Sequence, residues 1–390
     1  MTADAQVLAQ VDDAATLALL RALVRTPSAN PPGDEAAAAR VLADFLQAAG
    51  LEPRLEEVSP GRPNLAAALG PAAPGPTLLL NGHLDTMPAG PGWSVDPYGG
   101  LVRDGFLWGL GAADQKAGVA AMAAAAVAVL RAGLPLRGRL LLTAVVDEEG
   151  AGRGAQVLVE RGLRADWAII TEPTELEIVN ASNGQINFEL TVHGAAAHGS
   201  TPEAGHNAIY DAARLVAALE REAQRLRPRA HPVVGPTSLN VGTIQGGSVT
   251  SIVPAQCTVT VDRRVIPGET VAQAVAEMDA LLEGLRRAHP SLRVERRTRM
   301  AIPPVDVSPD LPVSRALHDA LATLTGRAPV FGGLRGTTDA ATFDAAGIPT
   351  LIFGPGSLAR AAHQADERVS LAELHLATRA LALTIVRLLA

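Results

Sequence analysis

His83 and Asp85 stand two residues apart just after an apolar run, Leu78-Leu79-Leu80, that is bounded by Pro76 and Gly82. Three consecutive leucines between such breakers predict a fully buried strand of a parallel sheet. Residues two apart on a strand point to one side, so the imidazole and the carboxylate leave the sheet edge together. A neutral imidazole binds a divalent metal, and a carboxylate beside it can hold the other ring nitrogen in the right tautomer. Other acids follow the same plan. Asp147-Glu148-Glu149-Gly150 comes after the apolar run Leu140 to Val146, and Thr171-Glu172-Pro173 after Trp167-Ala168-Ile169-Ile170. Asp114 precedes an alanine-rich helix, and His363 follows the run Ile348 to Phe353 and the loop Gly354-Pro355-Gly356.

Each of these residues alone has an ordinary role, as a polar strand end, a solvated loop, a helix cap or a surface histidine. Their recurrence at the ends of separate elements points to a shared site. Neighbouring carboxylates on an extended segment diverge, so in Asp147-Glu148-Glu149 one can hold a metal while another acts as general base for water. Clustered carboxylates raise one another's pKa values unless a cation neutralises them. His83, Asp114, Glu149, Glu172 and His363 supply two imidazoles and three carboxylates, which suits two ions bridged by one carboxylate. Mixed nitrogen and oxygen ligation favours zinc, cobalt or manganese over calcium or magnesium.

The elements that must carry these groups are legible as well. A chain of 390 residues, 48% hydrophobic and 19% charged, is folded and too long for one core. Strands at Leu78, Leu140 to Val146 and Trp167 to Ile170 alternate with helices at Asp34 to Ala49, Ala117 to Leu130 and Gly152 to Arg161, which predicts a mostly parallel sheet flanked by helices. From Ser182 the grammar changes. Ile186, Phe188, Leu190 and Val192 alternate with polar residues, as do Ser238 to Ile244 and Cys257 to Val261, with helices at Ala208 to Arg225 and Val271 to Ala288. This predicts a smaller α+β layer, an antiparallel sheet plus two helices, inserted as residues 182–296 into a discontinuous domain of residues 1–181 and 297–390.

Composition excludes several partners. A formal net charge of −7 leaves no basic surplus for a nucleic acid. The single cysteine, Cys257, excludes an internal disulfide and fits a reducing compartment. Met1 to Asp13 lack the basic n-region of a secretory leader, and the alanine-rich run falls short of the roughly 18 residues of a membrane span. A cytoplasmic protein with no membrane partner is expected.

With these residues in view, the sequence resembles the co-catalytic zinc aminoacylase/carboxypeptidase family, which includes acetylornithine deacetylase, succinyl-diaminopimelate desuccinylase, aminoacylase and glutamate carboxypeptidase. The resemblance runs through Gly82-His83-Leu84-Asp85-Thr86, Gly109 to Gly118, Asp147-Glu148-Glu149-Gly150 and Thr171-Glu172-Pro173-Thr174. It continues through Ala197-His198-Gly199-Ser200, Gly205 to Ile209, Thr338-Asp339-Ala340 and Gly354-Pro355-Gly356 before Ala362-His363.

The resemblance implies a role for each position. His83 and Glu172 would hold one ion, Glu149 and His363 the other, and Asp114 would bridge them. Asp85 would orient His83, Glu148 would be the general base, and a cis peptide would follow Asp114. His198 would stabilise an oxyanion from a partner subunit. Asn240 and Arg264 would bind substrate, with Arg263 as an adjacent competitor for that place. Gly354 and Gly356 would offer N–H groups to a substrate carboxylate. The implied activity is hydrolysis of N-acyl amino acids through water activated by two divalent ions, zinc first and cobalt or manganese next. The implied assembly is a homodimer through the inserted lid layer. A dipeptidase or exopeptidase is the nearer alternative and a non-catalytic metal-binding homologue the more distant one. Leu110, Gln115 and Ala117 depart from the family's arginine, methionine and glycine, and none of the three is a ligand.

Overall fold

Four apolar runs make the centre of the larger sheet. In the computed structural model, which describes residues 1–72 and 74–390, Arg139–Val145, Thr77–His83, Trp167–Ile170 and Thr350–Ile352 lie side by side in that order and pair in parallel. Leu78, Leu79 and Leu80 are fully buried, each contributing about 2 kcal/mol of transfer free energy. The sheet continues antiparallel on both sides, through Arg62–Leu69 and Arg54–Ser59 at one edge and Ile178–Ser182 at the other.

Contacts divide the chain into two compact units. The first comprises Met1–Asn180, Val307–Gly332 and Thr338–Ala390, and the second Ala181–Asp306 and Gly333–Thr337. In the first unit the helix Ala117–Ala132 packs on the strands Thr77–His83 and Arg139–Val145 and on the C-terminal helix Leu371–Leu389. Its alanines allow that close packing, and nearly every side chain in it is buried. A π-turn, Ala112–Lys116, runs directly into it. The helix itself has 16 residues, short of a span as the sequence suggested. Counted through the kinked π-turn, the stretch Ala112–Ala132 has 21 and is, among the described residues, the one long and apolar enough to cross a membrane by length and composition. Its most apolar window is 94% buried inside the protein, as in the core helix of a folded domain. The helix Asp13–Val24 is capped by Asp12, whose carboxylate accepts the Ala15 N–H at 2.9 Å.

The second unit holds a separate antiparallel sheet ordered Ser238–Gly246, Gln256–Val265, Gly184–His193, Arg293–Ile302. Ile186, Phe188, Leu190 and Val192 face the helices Ala208–Leu226 and Val271–Ala288, and their polar neighbours line the other face. Arg293–Ile302, with four arginines and a glutamate, shows little apolar alternation and is an edge strand.

Candidate metal centre

The candidate residues of the first unit follow the carboxyl ends of its parallel strands, where ligands of open α/β sheets collect. His83 ends its own strand, Glu148 and Glu149 follow Arg139–Val145, Glu172 follows Trp167–Ile170, and His363 lies in the segment after Thr350–Ile352. Asp114 sits in the π-turn, and the Asp114–Gln115 peptide is cis.

These side chains converge. His83 Nε2 is 3.1 Å from Asp114 Oδ1, and His363 Nε2 is 3.5 Å from Asp114 Oδ2, so one carboxylate directs its two oxygens at two imidazoles. Glu172 Oε1 lies 3.7 Å from His83 Nε2, and Glu149 Oε1 lies 2.8 Å from His363 Nε2. Ligand atoms of His83, Asp114 and Glu149 fall within 4.8 Å of one another, as do those of His83, Glu148 and Glu172. His83 Nδ1 is 2.9 Å from the main-chain carbonyl of Asp85. A carbonyl only accepts, so Nδ1 donates to it, and Nε2 is the ring nitrogen turned toward the cluster.

The electrostatics call for a cation. Burial pushes Glu148 and Glu172 well above the usual carboxylate range; His83 opposes the rise, while Glu172 adds to it at Glu148 and Asp114 at Glu172. Burial opposes the charged form of His83, yet its hydrogen bond to Asp114 and the surrounding acids hold its pKa well above the ordinary value. Asp114 is buried too, but the same bond and the His83 and His363 charges bring it below the usual range. His363 is raised by its bond to Glu149. A buried imidazole, His83, and an exposed one, His363, set around several enclosed carboxylates make a donor set that fits divalent cations.

The profile of peptidase family M20/M25/M40 matches residues 79–387, a span that includes every residue of this cluster. The chain belongs to that family. Among M20 relatives, the succinyl-diaminopimelate desuccinylase of Methylorubrum extorquens is 33% identical over 93% of this chain and 96% of its own length. The acetylornithine deacetylase of Myxococcus xanthus is 33% identical over 84% of this chain and 86% of its own. The fold is similar to that of the aminopeptidase PepT of Bacillus cereus, with a TM-score of 0.78, 23% identity and coverage of 97% of this chain and 99% of that one. A dinuclear metal-binding M20 peptidase of Bacillus subtilis gives a TM-score of 0.73 at 17% identity, covering 96% of this chain and 98% of its own.

Two expected contacts of this M20 chain are made through other atoms or partners in the structure. The Asp85 carboxylate is 3.6 Å from His83 Nδ1, and it is the Asp85 carbonyl that orients the ring. The carboxylate is occupied elsewhere, accepting the N–H groups of Glu148 and Glu149 at 3.1 Å each. The N–H groups expected to receive a substrate carboxylate are also taken: Gly354 donates to Thr174 Oγ1 at 3.2 Å and Gly356 to Glu373 Oε2 at 2.8 Å.

In the second unit the alternation of Gln256–Val265 separates the competing arginines. Arg263 faces the helices, is 2% exposed and pairs with Glu269 at 3.0 Å. Arg264 lies on the opposite face, half-buried beside Asp262 at 2.8 Å. Asn240 is exposed and sits opposite Asp262 in the register. His198 is exposed, with Nδ1 2.7 Å from Ser200 Oγ.

Sequence reasoning passed over several buried partners of the cluster. Glu367 accepts the N–H groups of Gly111, Ala113 and Asp114 at 2.8–2.9 Å, and burial lifts its pKa to about 7. Gln115 Oε1 accepts the His83 N–H at 2.6 Å. Lys116, fully buried, donates to the carbonyls of Leu23 and Thr26 at 3.0 and 2.9 Å and so ties the π-turn to the helix Asp13–Val24. Glu367 had a signal in the run Ala362 to Glu367, and Lys116 in being a charge at the head of an apolar helix.

Proposed function

We propose that the chain is a metal-dependent hydrolase cleaving the amide bond of N-acyl amino acids. The observation that carries this reading is Asp114 set between His83 and His363, with Glu148 and Glu172 enclosed beside it and pushed well above the usual carboxylate range. In this reading His83 and Glu172 would hold one divalent ion and Glu149 and His363 the other, with Asp114 shared between them, and zinc would come first, cobalt or manganese next. When bound, such ions polarise an amide carbonyl and lower the pKa of a water toward neutrality.

The chain's own residues then handle the proton and the substrate. Glu148 takes a proton from the attacking water and returns it to the leaving amine. Burial, by raising its proton affinity, suits a group that must hold a proton between two transfers. The Asp85 carbonyl keeps His83 in the tautomer a ligand needs. In the second unit Arg264 and Asn240 bind the substrate's polar end and His198 stabilises the oxyanion. That unit acts as a lid and as the surface of a homodimer, and the enzyme works in the cytoplasm.

Relatives at 33% identity that bear desuccinylase and deacetylase names support deacylation over peptide cleavage. The aminopeptidase and peptidase structures are under 25% identical and speak for the fold alone, and the family's own name does not decide between the two reactions. An intact Glu148 weighs against a non-catalytic binder, which has no use for a base. The test is turnover of N-succinyl, N-acetyl and N-formyl amino acids beside a set of dipeptides, with zinc, cobalt or manganese supplied. Faster turnover of an acyl amino acid is expected. Turnover of dipeptides alone, or of nothing on the panel, would overturn the reading.

A further inference from the structure

Behind Glu148 and Glu149 runs a line of buried and half-buried polar side chains that the chemistry above leaves unused. It starts at Asp85, whose fully buried carboxylate accepts the N–H groups of both glutamates. The side-chain amide of Asn30 donates to Asp85 Oδ2 at 2.9 Å and to Asp147 Oδ1 at 3.0 Å. Arg62 reaches the same Asp147 oxygen at 3.2 Å and is paired with Glu35, itself fully buried, at 2.5 Å. The line thus passes from Glu35 through Arg62, Asp147, Asn30 and Asp85 to the backbone of the two glutamates.

Local structure fixes each link. Asn30 N–H donates to the Thr86 carbonyl at 2.8 Å, Thr86 N–H to the Ser28 carbonyl at 3.1 Å and Ser28 Oγ to the Leu84 carbonyl at 2.7 Å. The Asn30 segment is therefore laced to the residues on either side of Asp85. Asp147 has a left-handed φ of +67°, a turn that allows the next two N–H groups to reach the Asp85 carboxylate. The backbone also leaves room for the contacts. A Cβ at Gly150 would stand 2.6 Å from Asp147 Oδ1 and 3.0 Å from Asn30 Nδ2. One at Gly33, whose φ is +90°, would overlap the Arg62 guanidinium.

A primary amide meets the chemical need at this point. Two carboxylates face one group, and an NH₂ offers one hydrogen to each without adding charge. We propose that Asn30 is a positioning residue that, acting through Asp85, holds the main chain of Glu148 and Glu149 in the register the reaction requires. The proposal rests on the reading of Glu148 as base and Glu149 as ligand.

Asn30→Asp keeps the shape and turns the donor into a third acceptor. Partners of this kind are typically worth 10–100-fold in metal affinity or activity. For the folded Asn30→Asp variant we expect kcat to fall at least about tenfold with KM changed less than about threefold, and the weaker step of a cobalt titration to weaken about tenfold with an altered cobalt absorption spectrum. Gly150→Ala, which crowds the same contact without removing a polar group, should move both readouts in the same direction and serves if Asn30→Asp fails to fold. In a Glu148→Ala background the kcat loss from Asn30→Asp should largely vanish, because both act on one step. A folded Asn30→Asp protein with kcat and cobalt affinity within about twofold of the parent, or a kcat loss undiminished in the Glu148→Ala background, would overturn the proposal. Normal turnover by Glu148→Ala alone would instead remove the base reading, and the cobalt titration would still decide the role of Asn30.

Discussion

In opposite ways the two units neutralise carboxylates that are wholly or partly buried. In the second, Glu269 meets Arg229 at 3.1 Å and Arg263 at 3.0 Å, and Glu277 meets Arg229 at 2.7 Å. Burial pushes the Glu269 pKa up, but the two guanidinium groups bring it below the ordinary value. In the first unit Glu148 and Glu172 are pushed up by burial and then further by their acidic neighbours. Among the described residues, Asp114, Glu149 and Glu172 have only imidazoles as ion-pair partners. One network is closed by its own arginines and holds the fold. The other is left short of positive charge, as a site that takes up cations would be.

That contrast can be broken in several places. The largest effect is expected from Glu148→Ala, which should lower kcat by about 10²–10⁴-fold while both ions stay bound. Steady-state kinetics beside metal analysis checks it, and near-normal turnover would contradict the base assignment. Arg263→Ala should open the closed network and leave Glu269 and Glu277 short of a partner. Because both glutamates keep Arg229, a loss of about 1–3 kcal/mol in urea unfolding is expected, with metal content unchanged; a loss under about 0.5 kcal/mol would mean the network is not structural. Arg264→Ala, on the other face of the strand, should instead raise KM about tenfold or more with little loss of stability. A KM equal to the parent's would take Arg264 out of substrate binding. The smallest effect belongs to Asp13→Asn. Asp13 pairs with Arg379 at 2.7 Å, and this bond, outweighing partial burial, depresses its pKa. A depressed carboxylate stabilises above its unfolded value of 3.8 and loses that contribution as pH falls through its folded value. The variant should cost under about 1 kcal/mol at neutral pH, and the gap between variant and parent in thermal unfolding should close in strong acid.

The legible part of the molecule was the part in which local pattern and burial agree. His83, Glu149 and Glu172 stood out because each acid or imidazole follows an apolar strand, and the alternation from Ile186 to Val192 marked the change of layer. The hairpin Arg54–Leu69 was missed because its first strand is charged and exposed and Pro63 interrupts the second. Asn30 was missed for another reason. Its partners Asp85 and Asp147 lie 55 and 117 residues away in sequence, and an Asn-Pro-Pro-Gly segment reads as a loop. Asp85 was assigned to the correct ring through the wrong atom, because residue spacing cannot tell a carbonyl from a carboxylate.

The most direct test is the metal content of the purified chain after stripping with a chelator and dialysis against zinc, measured beside Asp114→Asn. We expect two ions per folded chain and a loss of tight binding at both positions in the variant. A folded chain that takes up fewer than two ions, or an Asp114→Asn variant that keeps both with parental affinity, would contradict a paired-ion centre bridged by Asp114.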